Sequence, residues 1–324
     1  MGDTLAEIQA PIAQELVQFE RYFRSSMQTR VVLLDTIMRY ILRRKGKQMR
    51  PLFVLLSAQV SGGIQPATYR GAALVELLHT ATLVHDDVVD DSDQRRGFFS
   101  INALWKNKIA VLVGDFLLSR GLLMSLEHND FELLKIVSQA VKLMSEGELL
   151  QIEKARVLNI DEPVYFDIIR QKTASLIAAC CACGAASATN DTAVTEKMRK
   201  FGELVGIAFQ IKDDLFDYGS QAVGKPLGID IKEKKLTLPL IYALNQASWI
   251  ERRKILFTIR YQNTNPAKLK MLFDFVNERG GIEYAQKAME NHVQQALSIL
   301  HTFSESPHRK ALESLVKFTL SRTN

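Results

Sequence analysis

Residues 72–91 read AALVELLHTATLVHDDVVDD. Apolar side chains recur at helical spacing through Val84, so this stretch is a helix buried in a core. It then ends in Asp86, Asp87, Asp90 and Asp91, four carboxylates within six residues. Like charges repel on one helix end, and the helix dipole disfavours negative charge at a C-terminus. A solvated face would mix its signs. Burying carboxylates beside a core is costly unless a cation is present. At about 100° per residue, His79, Asp86 and Asp90 lie within about 40° of one line along the helix, and Asp87 about 80° from it.

The pattern has one echo. Residues 201–218 read FGELVGIAFQIKDDLFDY, a second apolar helix closing on Asp213, Asp214 and Asp217. With Gln210 these three span an arc of about 100°. Gly202 and Gly206 continue the stripe and are expected to leave open space beside the helix. One such string arises by chance on surface helices; two on apolar helices, each followed by a basic loop, point to metal. Hard oxygen donors that leave room for water and phosphate oxygens suit Mg²⁺, several ions to a site.

Outward from these stretches, helical periodicity continues along the chain. Helices are expected over 5–24, 30–45, 50–61, 67–91, 101–127, 131–156, 162–188, 193–218, 237–260, 266–279, 281–304 and 308–320, with no convincing alternating strands. The 324 residues are 47% hydrophobic, with 8 prolines, 17 glycines and no linker-like stretch, so one all-α domain over 1–324 is expected. The net charge of +5 is modest and shows no basic face with interleaved aromatics, which argues against nucleic acid. Cys180, Cys181 and Cys183 have no second Cys/His pair and read as small residues at a helix contact. No signal peptide and no apolar run long enough to span a membrane is apparent, so a cytoplasmic protein is expected.

Basic residues complement the acids. Arg95–Arg96–Gly97 follows the first cluster, and paired arginines suit bidentate phosphate binding. Gly46-Lys47-Gln48-Met49-Arg50-Pro51 marks a helix start, where backbone N–H groups favour anions. Lys172–Thr173 opens an apolar stretch, and Lys225 and Lys235 follow Asp217. Together they describe a site for several phosphates.

The chain here resembles the trans-polyprenyl diphosphate synthases, and among them the medium- and long-chain, octaprenyl-synthase-like enzymes. The matching segments are GKQMRP (46–51), ELLHTATLVHDDVVDDSDQRRG (76–97), VGDFLLSRG (113–121), EGELLQ (146–151), QKTASLI (171–177), FQIKDDLFDY (209–218) and GKPLGIDIKEKKLTLPLI (224–241). The family often has Gly-Lys where this chain has Lys234–Lys235. The resemblance implies helices packed antiparallel around a central cavity, and a homodimer. It makes Asp86, Asp90 and Asp213 the principal Mg²⁺ ligands, supported by Asp87, Asp214 and Asp217. Arg95, Lys172, Thr173, Gln210, Lys225 and Lys235 would hold an allylic diphosphate, and Lys47, Arg50, His79 and Arg96 isopentenyl diphosphate.

A terpene cyclase shares only the first motif, a non-catalytic subunit usually lacks both, and a metal-binding structural protein leaves the basic loops unexplained. A short-chain synthase differs in the residues ahead of Asp86, which are bulky aromatics there and Ala81 and Thr82 here. Two small side chains leave a channel open along the helix. Thr82 lies about 40° from Asp86 on the wheel and Ala81 about 140°, and a product of roughly thirty to fifty carbons is expected; the resemblance implies a quinone side chain as its fate.

Overall fold

Apolar residues recurring every three or four positions make helices of nearly the whole chain. The computed structural model describes residues 4–43, 48–95, 97–158, 160–218 and 228–321. The helices are α1 (Leu5–Gln9), α2 (Ala13–Ser26), α3 (Val32–Arg43), α4 (Met49–Ser61), α5 (Pro66–Val89), α6 (Ile101–Glu127), α7 (Phe131–Val157) and α8 (Glu162–Ile169). After them come α9 (Ser175–Ala188), α10 (Thr192–Phe216), α11 (Ile229–Lys232), α12 (Leu238–Asn245), α13 (Trp249–Tyr261), α14 (Pro266–Glu278), α15 (Gly281–Leu300) and α16 (Pro307–Ser321).

Four expectations are corrected by local chemistry. The helix over 5–24 is broken by a 3₁₀ turn at Ala10–Ile12, where Pro11 has no N–H to donate. The helix over 237–260 divides because Ser248 starts a new one. Its hydroxyl accepts from Glu251 N at 3.3 Å while the Glu251 carboxylate accepts from Ser248 N at 3.1 Å. The helix over 162–188 is interrupted by a π turn at Arg170–Ala174. A two-residue antiparallel ladder, β1 (Gln94–Arg95) with β2 (Phe98–Phe99), closes the basic loop around Gly97 at φ 77°.

A fifth correction concerns α6, which is long and apolar enough to cross a membrane by length and composition. Here Ala110, Val113, Leu117 and Met124 turn one face of it into the core against α5, while Val111, Leu112, Leu122, Leu123 and Leu126 lie exposed on the other.

The buried side chains form two apolar clusters. The first gathers α1 to α7, α9 and α16; the second gathers α8, the π turn and α11 to α14. Helices α10 and α15 belong to both: α10 gives Phe201 and Val205 to the first and Ile207 and Ile211 to the second, and α15 gives Ala296 and Leu300 to the first and Ala285 to the second. Cys180, Cys181 and Cys183 are fully buried, and burial pushes each thiol up. Beside them a Cβ at Gly184 would lie 2.3 Å from Val54 O, so α9 and α4 touch through their backbones. Gly202 and Gly206 leave no open space. A Cβ at Gly206 would lie 2.4 Å from Ala174 Cα, and one at Gly202 2.6 Å from Ile177 O. They bring α10 onto α9 and the π turn.

Candidate active site

Helix α5 ends where its acids begin. Asp90 N donates to Asp86 O at 2.8 Å, and the chain leaves the helix through Asp91 at φ 47°. Asp87 turns inward and is 3% exposed, whereas Asp86 and Asp90 face solvent. The Asn102 amide donates to the Asp87 carbonyl at 3.2 Å, and Ser100 Oγ donates to Ser92 O at 2.6 Å, which ties this end to the start of α6. His85 packs onto α6 at Gly114, where a Cβ would sit 2.1 Å from His85 Nε2. Gly114 therefore sets how close and at what rotation the last turn of α5 lies. Sequence reasoning did not single out His85 or Gly114, although both lie within the quoted motifs.

The end of α10 is built from hydrogen bonds. Asp214 is 5% exposed; Tyr165 Oη donates to its Oδ2 at 2.7 Å and Gln210 Nε2 to its Oδ1 at 2.8 Å. Thr173 Oγ1 in turn donates to Gln210 Oε1 at 2.7 Å. The result is a chain of four polar groups from the π turn to the aspartate end, with Tyr165 the member that sequence reasoning missed. Burial raises the Asp214 pKa to about 7 despite both donors. The Asp217 carboxylate accepts from Ile229 N at 3.0 Å and Asp230 N at 3.2 Å, which satisfies the open N-terminus of α11. Asp213 alone of this trio is exposed.

The basic residues are held by acids. Arg50, in the first turn of α4, places Nε 2.8 Å and Nη2 3.3 Å from the carboxylate of Glu76, one turn before His79 on α5. Lys172 Nζ lies 2.5 Å from Glu148 and 3.4 Å from Gln151 Oε1. The π turn that carries Lys172 lies close against α7, where a Cβ at Gly147 would be 2.7 Å from Lys172 N. Lys235 pairs with Glu233 and stands 3.8 Å from Asp230. Burial pulls its pKa down, but the bond to Glu233 and the nearby acids outweigh this and hold it raised. Asp230 is pushed to about 6 by burial and by Asp217. Lys47, Arg96, Lys225 and the Arg95 side chain lie outside the described residues. Ala81 is fully buried, and half-buried Thr82 bonds its own helix at His79 O, 2.8 Å away.

Among the described residues no three His, Cys, Asp or Glu side chains converge as a ready-made metal cage. The donors suit a hard cation that brings much of its own shell. Asp86, Asp90 and Asp213 are exposed carboxylates at the ends of buried helices, leaving most coordination positions to water and phosphate oxygens.

The Polyprenyl synthetase family model matches residues 31–276, which include both aspartate ends and every basic position above. The all-trans-nonaprenyl-diphosphate synthase (geranyl-diphosphate specific) of Rhodobacter capsulatus is 36% identical over 323 residues, 99% of this chain and 98% of that protein. A decaprenyl diphosphate synthase structure from Rhodobacter capsulatus aligns with a TM-score of 0.91 at 31% identity, covering 99% of this chain and 100% of the other. A polyprenyl synthase from Caulobacter crescentus CB15, complexed with calcium and isoprenyl diphosphate, aligns with a TM-score of 0.87 at 32% identity, covering 100% and 99%. Sequence and fold thus agree over the full length, and the chain belongs to the polyprenyl synthetase family, prenyltransferases that act on prenyl diphosphates.

Proposed function

We propose that this chain is a Mg²⁺-dependent all-trans polyprenyl diphosphate synthase, joining isopentenyl diphosphate head-to-tail to an allylic prenyl diphosphate. One observation carries the reading: exposed Asp86, Asp90 and Asp213 cap two apolar helices, and Lys172, Thr173 and Gln210 lie beside the second. Mg²⁺, when bound, would offset the charge that develops on the departing diphosphate. Asp86, Asp90 and Asp213 would hold it, while Asp87, Asp214 and Asp217 fix the helix ends.

Lys172, Thr173, Gln210 and Lys235, with Arg95 and Lys225, hold the allylic diphosphate. Lys172 exchanges Glu148 for phosphate at little cost, because a partly exposed pair contributes about 1 kcal/mol or less. Thr173 reaches a phosphate oxygen by turning its proton away from Gln210. Lys47, Arg50, His79 and Arg96 hold isopentenyl diphosphate, with Glu76 orienting Arg50. The allylic C–O bond breaks and its electron pair leaves with diphosphate. The isopentenyl double bond supplies the pair for the new C–C bond, and a proton passes to the departing diphosphate. Apolar walls keep water from the intermediate cation.

Half-buried Thr82 supports a channel along α5 and a medium- or long-chain product, suited to a quinone side chain, with fully buried Ala81 acting through the neighbouring wall. The names of the relatives support the same length class. We read residues 1–324 as one domain, since α10 serves both clusters, and as a cytoplasmic homodimer covering the exposed face of α6.

Mass spectrometry of products from each short allylic primer tests this reading. The expected product has about thirty to fifty carbons, and Ala81→Phe with Thr82→Phe shortens it to about fifteen or twenty while turnover persists. A wild-type product of fifteen or twenty carbons, or a long product from the double variant, would overturn the channel. No incorporation of labelled isopentenyl diphosphate by the chain alone would overturn the activity of a homomeric enzyme.

A further inference from the structure

Helix α13 has a face that the fold does not cover. Its sequence, WIERRKILFTIRY, turns Ile255, Thr258 and Ile259 into the core. On the opposite side Trp249 is 71% exposed, Ile250 73%, Phe257 54% and Tyr261 66%. Arg253, Lys254 and Arg260 are exposed on the same arc. The Arg253 guanidinium lies 5.3 Å from the Trp249 ring centre, and the Phe257 and Tyr261 rings are 5.0 Å apart. The acid of this helix, Glu251, is occupied by Ser248 and Arg279 and does not neutralise the arc.

The surface continues beyond one helix. Arg260 Nη2 donates to Val157 O at 3.2 Å, joining α13 to the end of α7, where Ile152, Arg156 and Val157 are also exposed. Asn263 Nδ2 donates to Lys232 O at 2.7 Å, and α11, which carries Lys232, is the helix whose start Asp217 caps. The patch therefore lies at the end of the molecule that carries the second aspartate cluster.

We propose that this face docks on an anionic phospholipid bilayer. Large apolar side chains on one arc of a surface helix, interleaved with cations, suit a helix lying in the plane of the headgroups. Tryptophan and tyrosine settle at that depth, with apolar ring and polar edge matched to the two media. Arginine and lysine add attraction to anionic lipid, about fivefold in affinity for each residue near the surface. The alternative occupant, a second copy of the chain, would bring like charges together. Docking here places the site that makes an apolar product beside the phase that dissolves it.

The test is sedimentation of the full-length protein with vesicles of phosphatidylcholine alone, or mixed in equal parts with phosphatidylglycerol. The protein should pellet with the mixed vesicles, stay in solution with the neutral ones, and be released by high salt. Trp249→Ser with Ile250→Ser and Phe257→Ser should weaken binding by about tenfold or more, as should Arg253→Glu with Lys254→Glu. Every substituted side chain is exposed, so the melting midpoint and the turnover of a short primer should stay at wild-type values. The charge-reversal pair leaves the buried packing of α13 in place and decides the matter if the serine variant melts early. Wild-type protein that ignores anionic vesicles, or variants that bind as well as wild type, would overturn the proposal. So would self-association without lipid that both variants abolish, which would make the occupant a second copy.

Discussion

At the end of α5 three carboxylates reach solvent, Asp86, Asp90 and Asp91, and one is buried, Asp87. At the end of α10 only Asp213 does, because Asp214 is held by Tyr165 and Gln210 and Asp217 by the backbone of α11. The first end is fixed by contact: His85 fits the gap at Gly114, and Asn102 holds a backbone carbonyl. The second is fixed by polar groups that run on into the residues proposed to hold the allylic diphosphate. Matching DDxxD strings thus reach their geometry by different physics. At the second end burial raises the Asp214 pKa, which ties the support of that end to pH.

The largest expected effect removes the exposed acids. Asp86→Ala and Asp213→Ala should each lower turnover by about a thousandfold or more, with helicity by circular dichroism unchanged. Near-normal turnover in either at saturating Mg²⁺ would dissolve the pairing of the two ends.

Glycine substitutions separate the two modes of support. At Gly206 the new Cβ meets backbone, Ala174 Cα at 2.4 Å, and neither helix can yield cheaply. Gly206→Ala should cost about 3 kcal/mol, read by urea unfolding. At Gly114 the obstacle is the His85 ring, which can swing aside. Gly114→Ala should therefore cost about 1 kcal/mol of stability yet lower turnover, since His85 neighbours Asp86. The reverse ranking in stability would place the rigid support at the wrong end.

The buried carboxylate makes a pH prediction. Burial raises Asp214 from 3.8 to about 7, so the folded state holds the proton more tightly than the unfolded chain. Ionised Asp214 therefore destabilises the fold above about pH 7, and the penalty fades as pH falls through that value. Without metal, Asp214→Asn should raise stability by on the order of 2 kcal/mol at pH 8 and by much less at pH 5. An equal gain at both values would mean that folding takes up no proton between pH 5 and 8, so that Asp214 is already ionised in the fold at pH 5.

The smallest effect concerns the loop beyond the second end. Lys234 has φ 60° and so bears left-handed strain that glycine would not. Lys234→Gly should stabilise by about 0.5 kcal/mol, the strain relieved exceeding the chain entropy lost, with turnover unchanged. A loss of stability would show that the Lys234 side chain contributes to closing the loop.

The all-helical character, the two acidic helix ends and the packing role of the cysteines were legible because periodicity and local contrast are properties of neighbouring residues. Helix boundaries failed where a local competitor acted, as at the capping box of Ser248 and at Pro11. The reading of Gly202 and Gly206 as open space failed for a different reason. A missing side chain means either a gap or a close neighbour, and the helical wheel of one helix cannot tell which.

The amino-acid order by itself determined which helices are apolar, where their carboxylates fall and that Asp87 lies off the line of Asp86 and Asp90. Tertiary structure alone decided which acids stay exposed. It paired Arg50 with Glu76, 26 positions away, Thr173 with Gln210, 37 away, and Tyr165 with Asp214, 49 away. Such partners have no local signature, because a hydrogen bond between distant residues depends on how two helices pack and not on the spacing within either.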